Sequence, residues 1–253
     1  MKKYIRDLKI IKNKNASLNH NVVVLQSSEK LPEILPGQFV EILIKHNKQA
    51  FLRRPFSIHD VNYKENTLSL LVKQVGCGTT ELANIKEGEL LNVIFPLGKG
   101  FSFASEQNVL LVGGGCGIAP LLYLARCLKE NNTQLSILIG SRNKDEINEA
   151  EEFNKYGNVF ISTEDGSLGE PGFVTQHSVL KNNFSKIYAC GPLAMMKAVA
   201  KLAKEKNTDC EVSLENRMAC GIGACLCCVT ETVHGHQCVC TEGPVFNTKE
   251  LTW

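Results

Sequence analysis

Cysteine residues are unusually dense near the carboxyl end of this 253-residue chain. Of its 11 cysteines, six lie in one short segment: Cys220, Cys225, Cys227, Cys228, Cys238 and Cys240. The spacing Cys220-x4-Cys225-x2-Cys228 is typical of a [2Fe–2S] cluster, which needs a fourth and more distant cysteine thiolate. Cys238 and Cys240 are both candidates for that fourth ligand. The glycines in the first loop would let it fold tightly around the sulfur atoms.

A structural zinc site is the main alternative for these cysteines. Zinc sites usually contain two close ligand pairs such as C-x2-C, whereas the first gap here is longer. His234 and His236 could supply nitrogen ligands, although a histidine in a loop is more often simply solvated. The spacing therefore favours an iron–sulfur cluster over zinc. Without a secretion signal, disulfide bonds are not expected, and the clustering indicates ligation in a reducing compartment.

A glycine-rich loop, VGGGCGIAP at residues 112–120, follows an apolar segment and precedes a helical pattern. Its glycines are Gly113, Gly114, Gly115 and Gly117. They would let backbone N–H groups approach a pyrophosphate, which the start of the following helix also favours. Pro120 suits the first turn of that helix, where its missing N–H costs nothing. The loop lacks G-x-G-x-x-G spacing, and a tight turn without a ligand is the alternative explanation.

The segment around this loop, from about residue 107 to 210, alternates strand and helix patterns. The predicted strands are NVLLVGG, QLSILIGSR, NVFIST and KIYACG, and the predicted helices are IAPLLYLARCLKEN, KDEINEAEEFNKY and PLAMMKAVAKLAKEKN. Such alternation predicts a parallel α/β sheet. We therefore assign residues 103–210 to a nucleotide-binding α/β domain.

The segments on either side of this domain differ from it in sequence pattern and composition. Before residue 103, short β-rich runs such as NVVVLQS, QFVEILIK, TLSLLVKQV and LLNVIF are separated by turn signals. Several short strands at close spacing predict a small barrel or sandwich over residues 1–102. Residues 211–253 are rich in glycine and cysteine and contain no core-sized apolar set. A segment of this kind is usually held together by a metal or cluster.

The bulk composition excludes several classes of function. The formal net charge is +2, from 28 basic and 26 acidic residues, so no charge footprint for nucleic acid or a membrane surface is visible. The first residues, MKKYIRDLKIIKNK, lack the apolar region of a signal peptide. No apolar run reaches the roughly 18 residues of a membrane helix. We expect a protein of the cytoplasm with neither nucleic-acid nor membrane partners.

Four motifs in this chain resemble those of the ferredoxin reductase superfamily, and they occur in the same order. They are Arg54-Pro55-Phe56-Ser57, similar to its flavin motif; PLGKGF at 96–101, similar to its interdomain loop; GGGCGIAP; and Cys190-Gly191-Pro192, similar to its nicotinamide motif. The resemblance spans residues 1–210. It implies a β-barrel that binds FAD, followed by an α/β domain that binds NAD.

The same resemblance implies roles for individual residues. An Arg54 guanidinium can bind a diphosphate bidentately, the aromatic ring of Phe56 can pack on the flavin, and the Ser57 hydroxyl can bond its edge. Many relatives have tyrosine at the position of Phe56, so a phenol hydrogen bond is absent here. Further residues would line the flavin (Leu71, Val72, Lys73), complete the phosphate cradle (Gly76, Gly78, Thr79) or hold the nicotinamide nucleotide (the 113–117 glycines, Cys190, Gly191).

A second resemblance covers the whole chain. The segments ENRMACGIGACLCC (215–228) and CTEGPVF (240–246) resemble the electron-transfer subunits of dihydroorotate dehydrogenase B. The resemblance implies FAD, a [2Fe–2S] cluster and NAD as cofactors, with Cys220, Cys225, Cys228 and Cys240 as cluster ligands. It also implies an FMN-containing catalytic subunit as partner, in a heterotetramer with two copies of each subunit. That partner oxidises dihydroorotate in pyrimidine synthesis. The spacer before Cys240 is short, which departs from the family pattern.

The chemistry of these carriers sets their order. A nicotinamide exchanges two electrons as hydride and a [2Fe–2S] cluster exchanges one, so the flavin must lie between them. The small subunit of a ferredoxin–NADP reductase or sulfide dehydrogenase is an alternative, although some of those replace one cluster cysteine by aspartate. Ser141-Arg142 could hold a 2′-phosphate and imply NADP, or Arg142 could be a surface residue. A zinc-stapled scaffold module is the alternative outside enzymes.

Overall fold

A closed β-barrel forms the first part of the computed structural model, which describes residues 2–45, 49–103, 107–147 and 149–253. Its strands are β1 (Tyr4–Ser17), β2 (His20–Gln26), β3 (Phe39–Ile42), β4 (Arg54–Asn62), β5 (Thr67–Lys73) and β6 (Leu90–Leu97). They follow the order β1-β2-β5-β4-β3-β6 around the barrel, and neighbours are antiparallel. A short helix, α1 (Cys77–Asn84), follows β5. The predicted barrel is therefore confirmed.

Side chains alternate across the barrel wall. In β1, Leu8 and Ile10 are fully buried while Lys9 between them is exposed. This two-residue period fills the interior with the apolar side chains of every strand. Strand β1 was not predicted from the sequence, because only Leu8 and Ile10 of this mostly polar strand are buried in the core.

A seven-stranded sheet forms the second part of the chain. The remaining strands are β7 (Asn108–Gly114), β8 (Gln134–Ser141), β9 (Asn158–Thr163), β10 (Glu170–Pro171), β11 (Lys186–Cys190), β12 (Asp209–Ser213), β13 (Val229–Thr232), β14 (Gly235–Cys238) and β15 (Val245–Asn247). The sheet order is β10-β9-β8-β7-β11-β12-β15, parallel except for the β12–β15 pair. Strands β13 and β14 form a separate hairpin. The predicted parallel sheet is confirmed.

Helices cover both faces of this sheet. They are α2 (Ala119–Glu130), α3 (Ala150–Phe153) and α4 (Leu193–Glu205), with single 3₁₀ turns at Gly115–Ile118, Lys144–Glu146, Val174–Gln176, Ser178–Lys181 and Thr248–Glu250. Val109 and Leu111 of β7 pack with α2, whereas Leu110 and Val112 pack with α4 on the opposite face. In the part of the chain that the structure describes, no helix combines the length and apolarity needed to cross a membrane.

The continuous charged helix predicted for residues 144–156 is wrong. The structure has a 3₁₀ turn at Lys144–Glu146 and the one-turn helix α3 at Ala150–Phe153. Asn143 Oδ1 accepts the N–H groups of Asp145 and Glu146 at 3.1 and 3.2 Å and so caps the first turn. Glu149 has φ 50°, a left-handed conformation that interrupts a right-handed helix.

The cysteine-rich segment shares its core with the α/β sheet. Strand β12 spans the predicted boundary between residues 210 and 211, and β15 pairs with it antiparallel. Val239, Cys240 and Phe246 pack in the same cluster as Val212 of β12. The segment therefore rests on the edge of the sheet. The division into 1–102, 103–210 and 211–253 stays a prediction.

Candidate functional site

Cysteine sulfurs and backbone N–H groups converge in the loop that starts after β12. Gly221 and Gly223 have φ of 65° and 84°, left-handed values that suit glycine and turn the backbone tightly. The N–H of Cys225 donates to Cys220 Sγ at 3.4 Å, and that of Gly223 donates to Cys240 Sγ at 3.1 Å. Such donors favour thiolates over thiols.

The four predicted cluster ligands fall into two pairs. The side chain of Cys220 is hydrogen-bonded to that of Cys225, and Cys240 to Cys228. Desolvation opposes ionisation of Cys220, yet the N–H groups of the loop lower its pKa to about 6. Burial raises the pKa of Cys240 to about 12, with the neighbouring Cys228 acting in the same direction. The structure thus places the three cysteines selected by the spacing near Cys240, which the resemblance implies as the fourth ligand, and their role as ligands stays a prediction.

This donor set fits a binuclear cluster better than one metal ion. Among residues 2–45, 49–103, 107–147 and 149–253, no three His, Cys, Asp or Glu side chains are grouped to hold a single ion. Two thiol pairs can instead serve the two irons of a [2Fe–2S] cluster, whose four ligands are cysteines. Zinc would need all four donors around one point.

The other two cysteines of the segment differ in position. Cys227 is exposed. Cys238 is buried, its side chain is also hydrogen-bonded to that of Cys228, and its backbone N–H donates to Glu242 Oε2 at 2.9 Å. The N–H that Gly223 aims at Cys240 favours Cys240 as the fourth ligand, and this assignment stays a prediction.

A buried carboxyl of the barrel, which the sequence analysis missed, lies against this loop. Glu41 of β3 is fully buried, and neither carboxyl oxygen has a hydrogen-bond partner among the described residues. A Cβ on Gly221 would lie 2.7 Å from Glu41 Cγ, so barrel and loop are in direct contact. Burial raises the pKa of Glu41 to about 7. A charged residue within the apolar run QFVEILIK was the only sequence signal.

The predicted flavin motif lies on β4. Arg54, Pro55, Phe56 and Ser57 are all half-buried, on the strand next to β3. Arg54 Nη1 donates to the Leu52 carbonyl at 2.6 Å. Helix α1 begins beside this arginine, because a Cβ on Gly78 would lie 3.4 Å from Arg54 Nε. A guanidinium next to free backbone N–H groups of a helix start fits a diphosphate.

The other predicted flavin residues do not all face the same way. Leu71 packs with the α/β core, Val72 packs inside the barrel, and Lys73 lines the cavity described below. Only the backbone of Val72 can therefore meet a ligand on the outer wall. The Thr79 hydroxyl accepts the N–H groups of Val75 and Gly76 at 2.9 and 3.1 Å, so it stabilises the turn before α1.

A cavity of about 490 Å³ lies between the barrel and the carboxyl ends of the sheet strands. Gly114 and Gly115 line it, and so do Pro192 and Met195 at the start of α4. Several lining residues were not predicted from the sequence, because none of them belongs to a recognisable motif: Glu146, Glu164, Phe173, Thr175 and Met195. Phe173 is 60% exposed, and a large apolar side chain on a loop was its only signal.

Close packing explains the glycines of the loop. A Cβ on Gly117 would lie 2.1 Å from the Cys190 carbonyl oxygen, and one on Gly114 would lie 2.7 Å from Met195 Sδ. Gly115 has φ 55° and open space where its Cβ would be. The loop therefore presents backbone to the cavity, as close approach to a dinucleotide requires. It also holds Gly113 and Gly117 beside Cys190 and Gly191.

Cys190 and Glu215 form a further polar contact near this cavity. Cys190 is fully buried, and burial raises its pKa well above its usual range. Its Sγ lies 4.0 Å from Glu215 Oε1. Glu215 keeps some contact with solvent, but many protein atoms lie around its carboxyl group. The resulting desolvation raises its pKa, and the positive charge of Lys73 acts in the opposite direction. No role for Glu215 was predicted from the sequence.

Two family models match the chain. The iron–sulfur cluster binding domain of dihydroorotate dehydrogenase B matches residues 215–252. The oxidoreductase NAD-binding domain matches residues 111–201. The first contains all four predicted cluster ligands, and the second contains the glycine-rich loop.

Curated relatives are similar over most of the chain. The dihydroorotate dehydrogenase B (NAD(+)) electron transfer subunit of Fusobacterium nucleatum is 44% identical over 223 residues, which cover 83% of this chain and 84% of the relative. The subunit of the same name from Shouchella clausii is 35% identical and covers 99% of both chains. The resemblance drawn from the motifs is confirmed.

Solved structures share the fold. The NADH-dependent reduced ferredoxin-NADP oxidoreductase structure, described for flavin-based electron bifurcation, has a TM-score of 0.88 and 31% identity. The match covers 97% of this chain and 90% of that one. The flavohem-like FAD/NAD-binding domain of nitric oxide dioxygenase from Vibrio cholerae has a TM-score of 0.71 at 19% identity, over 82% of this chain and 98% of that one. The predicted ferredoxin-reductase-like fold is confirmed.

Proposed function

Because the chain belongs to the family of dihydroorotate dehydrogenase B (NAD(+)) electron transfer subunits, we propose that it carries electrons from an FMN-containing catalytic subunit to NAD+. The path runs through a [2Fe–2S] cluster and FAD, and it serves pyrimidine biosynthesis in the cytoplasm. One observation carries the proposal. One cysteine thiol pair, Cys220 and Cys225, lies on a glycine loop that contacts the barrel, and the pair of Cys228 and Cys240 lies beside it. The same chain has a glycine-lined dinucleotide cavity.

The protein's own residues have separate tasks in this proposal. When bound, FAD exchanges two electrons with a nicotinamide and single electrons with a cluster. Arg54 and the start of α1 hold the FAD diphosphate, with Ser57 at the flavin edge. The backbone of Gly114 and Gly115 holds the nicotinamide dinucleotide. Cys220, Cys225, Cys228 and Cys240 hold the cluster, and the loop N–H groups stabilise their thiolates.

The exposed side of the cluster loop supports docking of the catalytic subunit. Ile222 and Leu226 are 48% and 65% exposed beside the ligands, and Leu226 has φ 56°, an unusual conformation for leucine. Apolar side chains presented to solvent suit burial against another protein. We propose a heterotetramer with two copies of each subunit.

A ferredoxin–NADP oxidoreductase subunit is the second candidate function. The solved oxidoreductase structure at 31% identity favours it, whereas the relatives at up to 44% identity favour the dihydroorotate dehydrogenase partner. Copurification from the native cell separates the two. Recovery of an FMN-containing dihydroorotate dehydrogenase subunit supports the proposal, and recovery of a different flavoenzyme subunit contradicts it.

Neighbouring cysteines provide a matched test of the cluster. Cys225→Ser is expected to abolish the cluster's visible absorbance, iron and inorganic sulfide while FAD stays bound. Cys227→Ser, two residues away and exposed, is expected to keep all of them. Full retention of iron and colour in Cys225→Ser would remove Cys225 from the ligand set.

The same comparison separates the candidates for the fourth ligand. Cys240→Ser is expected to lose the cluster, whereas Cys238→Ser is expected to keep it with a small loss of stability from the buried site. Loss of the cluster in Cys238→Ser but not in Cys240→Ser would identify Cys238 as the fourth ligand. Iron content and electron paramagnetic resonance of the reduced protein measure both variants.

A further inference from the structure

One corner of the dinucleotide cavity lies where β8 and β9 end. Four polar residues line it: Ser141, Arg142, Glu146 and Glu164. Gly140 pairs with Ser162 across the two parallel strands, and the N–H of Glu164 donates to the Ser141 carbonyl at 3.1 Å. In open α/β sheets the ribose of a dinucleotide is recognised at this edge, by a carboxylate for the 2′-hydroxyl or by arginine for a 2′-phosphate.

The arginine of this corner is already paired. Arg142 Nη2 donates to Glu146 Oε1 at 2.6 Å, and Arg142 Nε donates to Glu146 Oε2 at 3.3 Å. The Glu146 side chain is only 19% exposed, and its backbone N–H donates to Asn143 Oδ1 at 3.2 Å. The guanidinium of Arg142, which could otherwise bind a phosphate through two hydrogen bonds, therefore binds the Glu146 carboxylate.

The remaining groups also disfavour a phosphate. The Ser141 hydroxyl donates to the Asn143 carbonyl at 2.6 Å, so its proton is not available to another acceptor. The corner contains one guanidinium and two carboxylates, those of Glu146 and Glu164. Although Lys73 also lines the cavity, an added 2′-phosphate would lie beside the carboxylates of Glu146 and Glu164 and be repelled by them, whereas a ribose hydroxyl can donate to a carboxylate.

We propose that Glu146 and Glu164 make this cavity select NAD(H) against NADP(H). Glu164 accepts a hydrogen bond from the adenosine ribose. Glu146 is a positioning residue, which keeps the Arg142 guanidinium from a 2′-phosphate. This inference rests on the proposed function, since it takes the cavity as the dinucleotide site.

Anaerobic flavin reduction by NADH and NADPH tests the inference. Wild type is expected to have the higher kcat/KM with NADH. Glu146→Gln should raise kcat/KM for NADPH about tenfold, through KM rather than kcat, because a charged hydrogen-bond partner of Arg142 is lost. Adding Arg142→Ala to Glu146→Gln should remove that gain. Glu164→Gln should raise KM for NADH about tenfold.

A matched ion pair outside the cavity provides the control. Arg126 and Glu130 form an i,i+4 pair on α2 at 3.3 Å, so Glu130→Gln should leave the NADPH-to-NADH ratio unchanged. Equal use of both nucleotides by wild type would overturn the inference. It would also fall if the ratio failed to move in both Glu146→Gln and Glu164→Gln, since exposed Glu164 tolerates substitution even where Glu146 does not.

Calorimetric binding of ADP-ribose and its 2′-phosphate separates this inference from the function on which it rests. Wild type that binds only ADP-ribose supports both. Equal affinity for the two compounds contradicts the selectivity alone. No binding of either compound contradicts the dinucleotide site and hence the proposed function.

Discussion

Acid sensitivity of the barrel should trace to one buried histidine. His20 of β2 is 1% exposed, its Nδ1 lies 3.0 Å from the Ser17 hydroxyl, and its Nε2 has no hydrogen-bond partner among the described residues. Burial lowers its pKa from 6.5 to about 4, and the positive charge of Lys73 acts in the same direction. The native state therefore holds His20 neutral at a pH where the unfolded chain is already protonated.

Proton binding by His20 in the unfolded chain makes the free energy of unfolding depend on pH. Because the unfolded chain binds the extra proton between these two pKa values, the free energy of unfolding falls as pH drops below 6.5. Between pH 7.5 and pH 5 the loss is about 2 kcal/mol, at about 1.4 kcal/mol for each pH unit. For a chain of this size that corresponds to a Tm decrease of about 4–8 °C.

Thermal unfolding of the holoprotein at pH 5 and pH 7.5 measures this loss. His20→Gln cannot bind the proton, so its Tm should fall less over the same range by about 4–8 °C. Packing lost in the variant affects both pH values equally and cancels in the difference. His234→Gln, at an exposed loop position, is the control and should follow wild type. An equal pH dependence in His20→Gln and wild type would refute the reasoning.

Three further substitutions follow from contacts in the structure. Gly117→Ala places a Cβ 2.1 Å from the Cys190 carbonyl oxygen, and the overpacking should cost about 2–3 kcal/mol and weaken NADH binding, measured by unfolding and titration. Arg126→Ala removes a 2.7 Å ion pair with Asp60 of the barrel and should cost about 1–2 kcal/mol in unfolding. As pH rises from 4.5 to 7, the free energy of unfolding of Glu41→Gln should rise relative to that of wild type by up to about 3 kcal/mol, seen as a higher relative Tm, because the raised pKa makes ionisation of Glu41 destabilising.

Each of these substitutions has a control within the chain. Gly76→Ala has open space around its Cβ and should cost less than about 1 kcal/mol. Lys155→Ala breaks an exposed pair with Glu152 and should leave the free energy of unfolding nearly unchanged. Exposed Glu33→Gln should show no pH-dependent gain in Tm. A control that changes as much as its test variant would contradict the corresponding contact.

Sequence patterns predicted the elements that local periodicity encodes. The apolar strand NVLLVGG coincides with β7 (Asn108–Gly114), and the helix that follows the glycine loop coincides with α2 (Ala119–Glu130). The cysteine spacing selected Cys220, Cys225 and Cys228, and the fold places them near Cys240, which the family resemblance implies as the fourth ligand. These predictions succeeded because each pattern lies in residues that are close together in the sequence.

Features that depend on distant residues escaped the sequence analysis. The contact of Glu41 with Gly221 joins positions far apart in the chain, and the residues next to either one in the sequence do not predict it. The pairing of Arg142 with Glu146 depends on a 3₁₀ turn where a longer helix was predicted. Strand β15 joins the sheet through its partner β12, so the cysteine-rich segment shares a core that its own composition does not predict.

Anaerobic titration of the purified, fully matured chain with NADH tests the central claim most directly. The protein should contain FAD, iron and inorganic sulfide, and NADH should bleach the flavin absorbance and then reduce the cluster. A chain that holds neither FAD nor iron and sulfide, or whose flavin absorbance NADH leaves unchanged, would contradict the account.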